Sequence, residues 1–197
     1  MDLILASQSP RRRELLERLG LTFTVQVADI DETMDPAKLP FDEVARLSRD
    51  KAAAVAVHAP ETAVVVAADT VVVLEDRVLG KPHSEREAAE MLRSLSGRPH
   101  QVMTGMTVRR GSHVESDTVV TDVHFRSLSE EEIAAYIATG EPMDKAGAYG
   151  IQGLASIFVD RLAGDYYNVM GLPLCRLCAM LRKAGVPVLG LTEHSEV

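Results

Sequence analysis

The stretch from Ala63 to Leu74 limits what this chain can become. It is almost wholly Ala, Val and Leu, broken by Asp69 and Thr70. Its weight of β-branched residues predicts a long, buried strand. Asp69 then sits mid-strand or at a bulge. A carboxylate taken out of water is costly unless a cation or a metal answers it. We read Asp69 as a catalytic or metal-binding acid, with a plain ion pair to a Lys or Arg as the alternative.

The rest of the chain alternates strand and helix signals. Leu3 to Ala6 suits a short buried strand. Ser9 is an N-cap, Pro10 fits the first helical position, and Leu15, Leu16 and Leu19 line one face before Gly20 stops the helix. Phe23 to Val27 reads as a strand, Asp29 to Glu32 as an acidic loop, and Phe41 to His58 as a helix carrying Lys51. Glu75-Asp76 turns the long strand back through Arg77 to Leu79. Ser84 and Glu87 predict a capping box for a helix to Leu95, ended by Gly97. His100 to Arg109 and His113 to Phe125 form a hairpin around Gly111-Ser112. Ser129 and Glu132 open a further helix that ends near Gly140. A glycine-rich loop from Asp144 to Gly153, a strand from Ile157 to Leu162 and a helix from Leu172 to Ala184 complete the chain. The expected class is α/β with mixed α+β character, built on a mixed sheet. No repeat or linker divides residues 1–197, so one domain is expected.

Charge and cysteine usage exclude several functions. The formal net charge is -8, which argues against a nucleic-acid binder. No apolar run is long enough to span a bilayer. The opening residues lack a basic-then-apolar leader pattern, so the expected location is cytoplasmic. Cys175 and Cys178 are the only cysteines. They fall in an apolar helical pattern, and we read them as helix-packing residues.

Arg11, Arg12 and Arg13 occupy the first turn of a helix. Cations there oppose the helix dipole by roughly 0.3–1 kcal/mol each. An anion seated at that turn accounts for them. A solvated basic turn, with arginine stems lying on apolar surface, accounts for them too. Lys81 follows Gly80 and precedes Pro82, but no Gly-x-x-x-x-Gly-Lys-Ser/Thr loop is present, so this is not an ordinary P-loop enzyme. Gln152, inside the glycine-rich loop, offers a donor and an acceptor together, which suits a neutral base edge. Cations (Arg11, Arg12, Lys51, Lys81), acids (Glu32, Asp69) and a polar reader (Gln152) are what a triphosphate hydrolase needs.

Five motifs together resemble the Maf family. They are Ser7-Gln8-Ser9-Pro10-Arg11-Arg12-Arg13-Glu14-Leu15-Leu16, Ala68-Asp69-Thr70-Val71-Val72, Leu79-Gly80-Lys81-Pro82, Ala148-Tyr149-Gly150-Ile151-Gln152-Gly153 and Asp165-Tyr166-Tyr167-Asn168-Val169-Met170-Gly171-Leu172-Pro173-Leu174. The resemblance covers nearly the whole chain in order. It implies a curved mixed sheet between two lobes, with the active site in the cleft, and a homodimer. It implies a house-cleaning nucleoside triphosphate pyrophosphatase that releases a monophosphate and pyrophosphate with Mg2+ or Mn2+. Ser7, Arg11, Arg12 and Lys51 are then substrate contacts, and Lys81 a phosphate contact and part of the catalytic set. Glu32 and Asp69 are the catalytic and metal-binding acids. Asp69 matches the family's proton acceptor. A carboxylate on a divalent ion is a weak base, so orienting the attacking water is its alternative role. Arg11, Thr70 and Gln152 match the branch that prefers dTTP and UTP. The sister branch has Trp, Gln and Glu there and prefers 7-methyl-GTP, whose cationic base suits an aromatic face and a carboxylate. The family's link to septum formation keeps a non-catalytic, nucleotide-binding regulator as the rival reading.

Overall fold

The structure, a computed structural model, describes residues 2–192. Its elements run β1 (Leu3–Leu5), α1 (Pro10–Arg18), β2 (Thr24–Val25), α2 (Pro40–Ala56), β3 (Val64–Leu74), β4 (Arg77–Leu79), α3 (Glu85–Leu95), β5 (Pro99–Arg110), β6 (His113–Phe125), α4 (Glu130–Ala138), β7 (Val159–Ala163), α5 (Tyr166–Val169) and α6 (Leu174–Lys183). The seven strands form one sheet in the order β2-β1-β3-β5-β6-β7, with β4 paired to β3. β1 is parallel to β2 and to β3, while β3–β4 and β6–β7 are antiparallel. The mixed α/β class is therefore as expected. No helix among the described residues is long and apolar enough to cross a membrane.

The chain divides into two compact units. The first takes in the chain up to Asp69, Thr104–Val119, and the chain from Gly171. Its core faces α2 toward the sheet: Ile4, Ala6, Val65 and Ala67 pack against Ala52 and Val55. The close approach of α2 to β5 depends on Gly105. A Cβ there would lie 2.3 Å from the backbone C and O of Val44. Ser48 on α2 and Thr107 on β5 add a buried hydroxyl pair at 2.8 Å, which Ser116 extends at 2.8 Å. On α6, Leu174, Leu177, Met180 and Leu181 are buried. Cys175 is exposed and Cys178 half-buried, both as free thiols. The packing role expected for them is corrected: the leucines take the inward face and the cysteines fall to its side.

The second unit comprises Thr70–Met103 and Val120–Met170. The chain has only four Phe and four Tyr, and half of them meet here. Phe125 stands edge-on to Tyr149 at 4.8 Å and Tyr136 to Phe158 at 5.2 Å, geometries that aromatic rings favour. His100 joins this cluster, 3% exposed, with Nε2 2.8 Å from the Tyr149 hydroxyl. Burial pushes its pKa down to about 4 from 6.5. The unfolded chain therefore takes up a proton near pH 6.5, and the folded chain only near 4. This contribution to stability is complete above about pH 6.5 and declines as pH falls toward 4. Melting temperatures from pH 8 to 4 should fall less steeply in His100→Gln than in the wild type. Equal slopes would remove His100 as the cause.

Several local expectations shift. Ser84 caps α3 through the Glu87 N–H, but Glu87 Oε2 accepts from His83 N–H rather than from the cap residue. The capping box expected there is therefore absent. At Ser129 the box is complete. Strand β7 begins at Val159, because Leu154–Phe158 forms a 3-10 turn. Residues 166–169 form a separate short helix, capped by Asp165. The strand expected over Phe23 to Val27 narrows to two residues.

Candidate active site

Within the first unit, β3, α2 and the acidic loop bring three expected residues together. Asp69 is 9% exposed on β3. Lys51, on the inward face of α2, reaches it with Nζ 2.6 Å from Asp69 Oδ1. The same ammonium lies 3.0 Å from Glu32 Oε2. Asp69 thus has the cation partner that a buried carboxylate demands. Two carboxylates share one ammonium, so the trio keeps a net negative charge.

The loop bearing Glu32 is tied down by α2. Arg46 forms a two-pronged pair with the buried Glu43 and donates from Nη2 to Thr33 O at 3.0 Å. Glu43 Oε2 also accepts the Asp35 N–H at 2.8 Å. The Arg46 guanidinium holds the Glu43 carboxyl down at about 2, so this anchor stays ionised in any neutral or mildly acid medium. Sequence reading passed over Glu43 and Arg46. Their i,i+3 spacing on a helix was the available signal.

The three arginines separate in role. Ser9 caps α1 by accepting from Arg12 N–H at 3.4 Å. Arg12 is half-buried: Nε donates to Gly171 O at 2.8 Å and Nη1 to Ser7 Oγ at 3.2 Å. Burial pushes its pKa down, and the charge of Asp69 pulls it back up, with Arg11 and Glu32 also in electrostatic reach. Ser7, Arg11, Arg12, Glu32, Lys51 and Asp69 therefore share one neighbourhood. Arg13 is an exposed partner of Glu17 at 2.9 Å. The carbonyl of Gly171 was not foreseen, since nothing in a backbone acceptor marks it in sequence.

In the second unit, Thr70 follows Asp69 directly on β3. The loops carrying Lys81 and Gln152 are joined to each other and to that strand. Gly147 N–H donates to Gly80 O at 3.0 Å. A Cβ at Gly147 would stand 2.9 Å from a methyl of Val72, so the glycine lets this loop lie against β3. Lys81 and Gln152 are both exposed.

Glu32 and Asp69 are hard oxygen donors. Among the described residues they belong to no group of three or more His, Cys, Asp or Glu able to hold a metal. Mg2+ is commonly held by one or two carboxylates plus substrate phosphates, and this pair fits that arrangement.

A buried acid with an ammonium partner thus lies in electrostatic reach of the arginine-bearing start of α1. The Maf-like protein family profile matches residues 2–184, and the chain belongs to that family. It is 52% identical over 184 residues to the dTTP/UTP pyrophosphatase of Geobacillus sp. strain WCH70, covering 93% of this chain and 98% of that protein. It is 52% identical over 190 residues to the dTTP/UTP pyrophosphatase of Anaeromyxobacter dehalogenans strain 2CP-C, covering 94% and 95%. Among solved structures it is similar to the Staphylococcus aureus Ham1 protein, with a TM-score of 0.43 and 16% identity over 64% of this chain and 72% of that one.

Proposed function

We propose that this protein is a nucleoside triphosphate pyrophosphatase that hydrolyses dTTP and UTP to the monophosphate and pyrophosphate. The observation that carries the reading is Lys51 held between Asp69 and Glu32, with Arg12 in electrostatic reach. Relatives at about half identity bear the same activity in their names.

In this reading Ser7, Arg12, Lys51 and Lys81 hold the phosphate oxygens and neutralise charge that grows at the leaving pyrophosphate. Glu32 and Asp69 would hold a divalent cation, Mg2+ or Mn2+, which would supply further charge neutralisation and make a bound water more acidic. Asp69 orients the attacking water, and Lys51, 2.6 Å away, keeps the carboxylate aimed. Water attacks the α-phosphorus, the bond from that phosphorus to the α–β bridging oxygen breaks, pyrophosphate departs with the electron pair, and the water's proton passes by way of the Asp69 carboxylate to solvent. Arg11, Thr70 and Gln152 select the base. The amide of Gln152 meets a carbonyl beside an imide N–H, which uracil and thymine both show. The enzyme is further proposed to be a cytoplasmic homodimer that does not bind nucleic acid.

The test is a nucleotide panel with Mg2+ or Mn2+, scored for pyrophosphate. Pyrophosphate should appear from dTTP and UTP well ahead of 7-methyl-GTP. Faster turnover of 7-methyl-GTP would overturn the base assignment. Orthophosphate as the first product would overturn the cleavage site.

A further inference from the structure

The turn that presents Gln152 is gripped by two residues that the proposed reaction leaves unused. Residues 150–153 form a four-residue turn, closed by Gly153 N–H donating to Gly150 O at 3.0 Å. Gln152 is exposed at its third position. One relay holds both ends. At the entry, Gly150 N–H donates to the Tyr136 hydroxyl oxygen at 3.2 Å. That hydroxyl donates to Glu141 Oε1 at 2.9 Å. At the exit, Glu141 Oε2 accepts the Leu154 N–H at 3.0 Å.

The fit leaves no slack. A Cβ at Gly153 would stand 2.2 Å from Glu141 Oε1, and one at Gly150 would stand 2.7 Å from Lys145 Cε. Lys145 Nζ in turn donates to the Glu141 carbonyl at 2.7 Å. Tyr136 is buried and stacked edge-on against Phe158, so its hydroxyl has a fixed origin. Burial raises its pKa, and the ring remains a hydroxyl donor at every working pH.

We propose that Tyr136 and Glu141 are positioning residues for base selection, acting through the turn that carries Gln152. The inference rests on the reading of Gln152 as the residue that meets the base. An amide discriminates only when its donor and acceptor are held in place, because a displacement of about 1 Å can cost as much as ~100-fold. Gln152 stands in a turn that begins and ends on glycines, Gly150 and Gly153. The buried Ile151 and the closing bond hold the middle of the turn, and the two hydrogen bonds at its ends fix how the whole turn is placed. Selectivity that depends on pairing a base edge is lost when the pairing group drifts, whereas contacts to phosphate are common to all triphosphates.

The experiment uses the full chain with Mg2+ and compares kcat/KM for UTP, CTP and GTP. The variants are Tyr136→Phe, Glu141→Gln and Gln152→Ala. Tyr136→Phe leaves the Gly150 N–H and one carboxylate oxygen unanswered. Glu141→Gln keeps the shape but turns one acceptor into a donor that faces a donor. Each should lower the preference for UTP over CTP and GTP by about tenfold, chiefly through a higher KM for UTP. The double variant should be little worse than either single one, since both break the same relay. A uniform loss across all three nucleotides, with the preference intact, would make the relay merely structural and overturn the proposal. If Gln152→Ala changes the preference and the relay variants do not, the proposal fails while the reading of Gln152 stands. If Gln152→Ala leaves the preference intact, that reading fails and the proposal falls with it. Thermal unfolding is measured alongside, and Glu141→Gln carries the test should Tyr136→Phe not fold.

Discussion

Asp69→Asn is expected to lose at least ~100-fold in kcat, within the range for a positioned acid–base group. The replacement keeps the size of the side chain and an oxygen able to accept from Lys51, whose Nζ lies 2.6 Å from Asp69 Oδ1. Lys51 also keeps Glu32 at 3.0 Å, so the fold around the trio should survive. What disappears is one of the two carboxylate charges. The trio passes from one net negative charge to none, and the group facing the water becomes a neutral amide. KM should change little, because Arg12 retains its anchors on Gly171 O and Ser7 Oγ. Steady-state pyrophosphate release and a melting curve on the same preparation check this. Near-normal turnover with an unchanged melting curve would sink the assignment of Asp69. Nucleotide binding without turnover in the wild type would favour the regulator reading.

Gly105→Ala should be the most damaging single methyl in the first unit. The added carbon would meet the Val44 backbone at 2.3 Å, and backbone cannot rotate away as a side-chain tip can. Overpacking of this kind costs about 1–3 kcal/mol, and occasionally more. We expect about 3 kcal/mol, read as a lower urea midpoint at unchanged slope. Gly80→Ala serves as the comparison, since a Cβ there meets nothing within 4 Å. It should stay within about 0.5 kcal/mol of the wild type. The Gly105 effect should also reach the site. Val44 and Lys51 lie two turns apart along one face of α2, both buried. Pushing that helix off β5 moves Lys51 away from Asp69, so kcat should fall even in the molecules that remain folded. An unchanged midpoint would mean that α2 yields at this contact.

Local chemistry was readable at the starts of α1 and α4. Ser9 and Pro10 opened α1 where the cap pattern placed it, and the Ser129–Glu132 box formed in full. Asp69 could be singled out because a charge inside a β-branched run has few explanations. The resemblance then supplied most of the candidate site by motif. Contacts between distant segments were not legible. Lys51 and Asp69 are 18 positions apart, and Arg12 and Gly171 are 159 apart. No periodicity in either segment encodes that meeting. Glu87 misled because a carboxylate at the third helical position can reach the cap residue or the one before it, and only the chain's path selects His83. The separate helix α5 was missed because the four residues Tyr166–Val169 are too few to show a helical period.

The way the chain is shared between its two units limits how the protein can be re-engineered. Each unit is assembled from segments that are not contiguous, and the boundary falls within β3 between Asp69 and Thr70. An exchange of a whole unit with a relative would have to splice through β3, β5 and β6, with a fourth junction between Met170 and Gly171. A chimera joined within those strands puts foreign residues side by side in the middle of hydrogen-bonded strands. The span from Tyr136 to Leu154 belongs to one unit and holds Gln152 with both of its anchors. It is the shortest continuous piece that could be grafted with its own support.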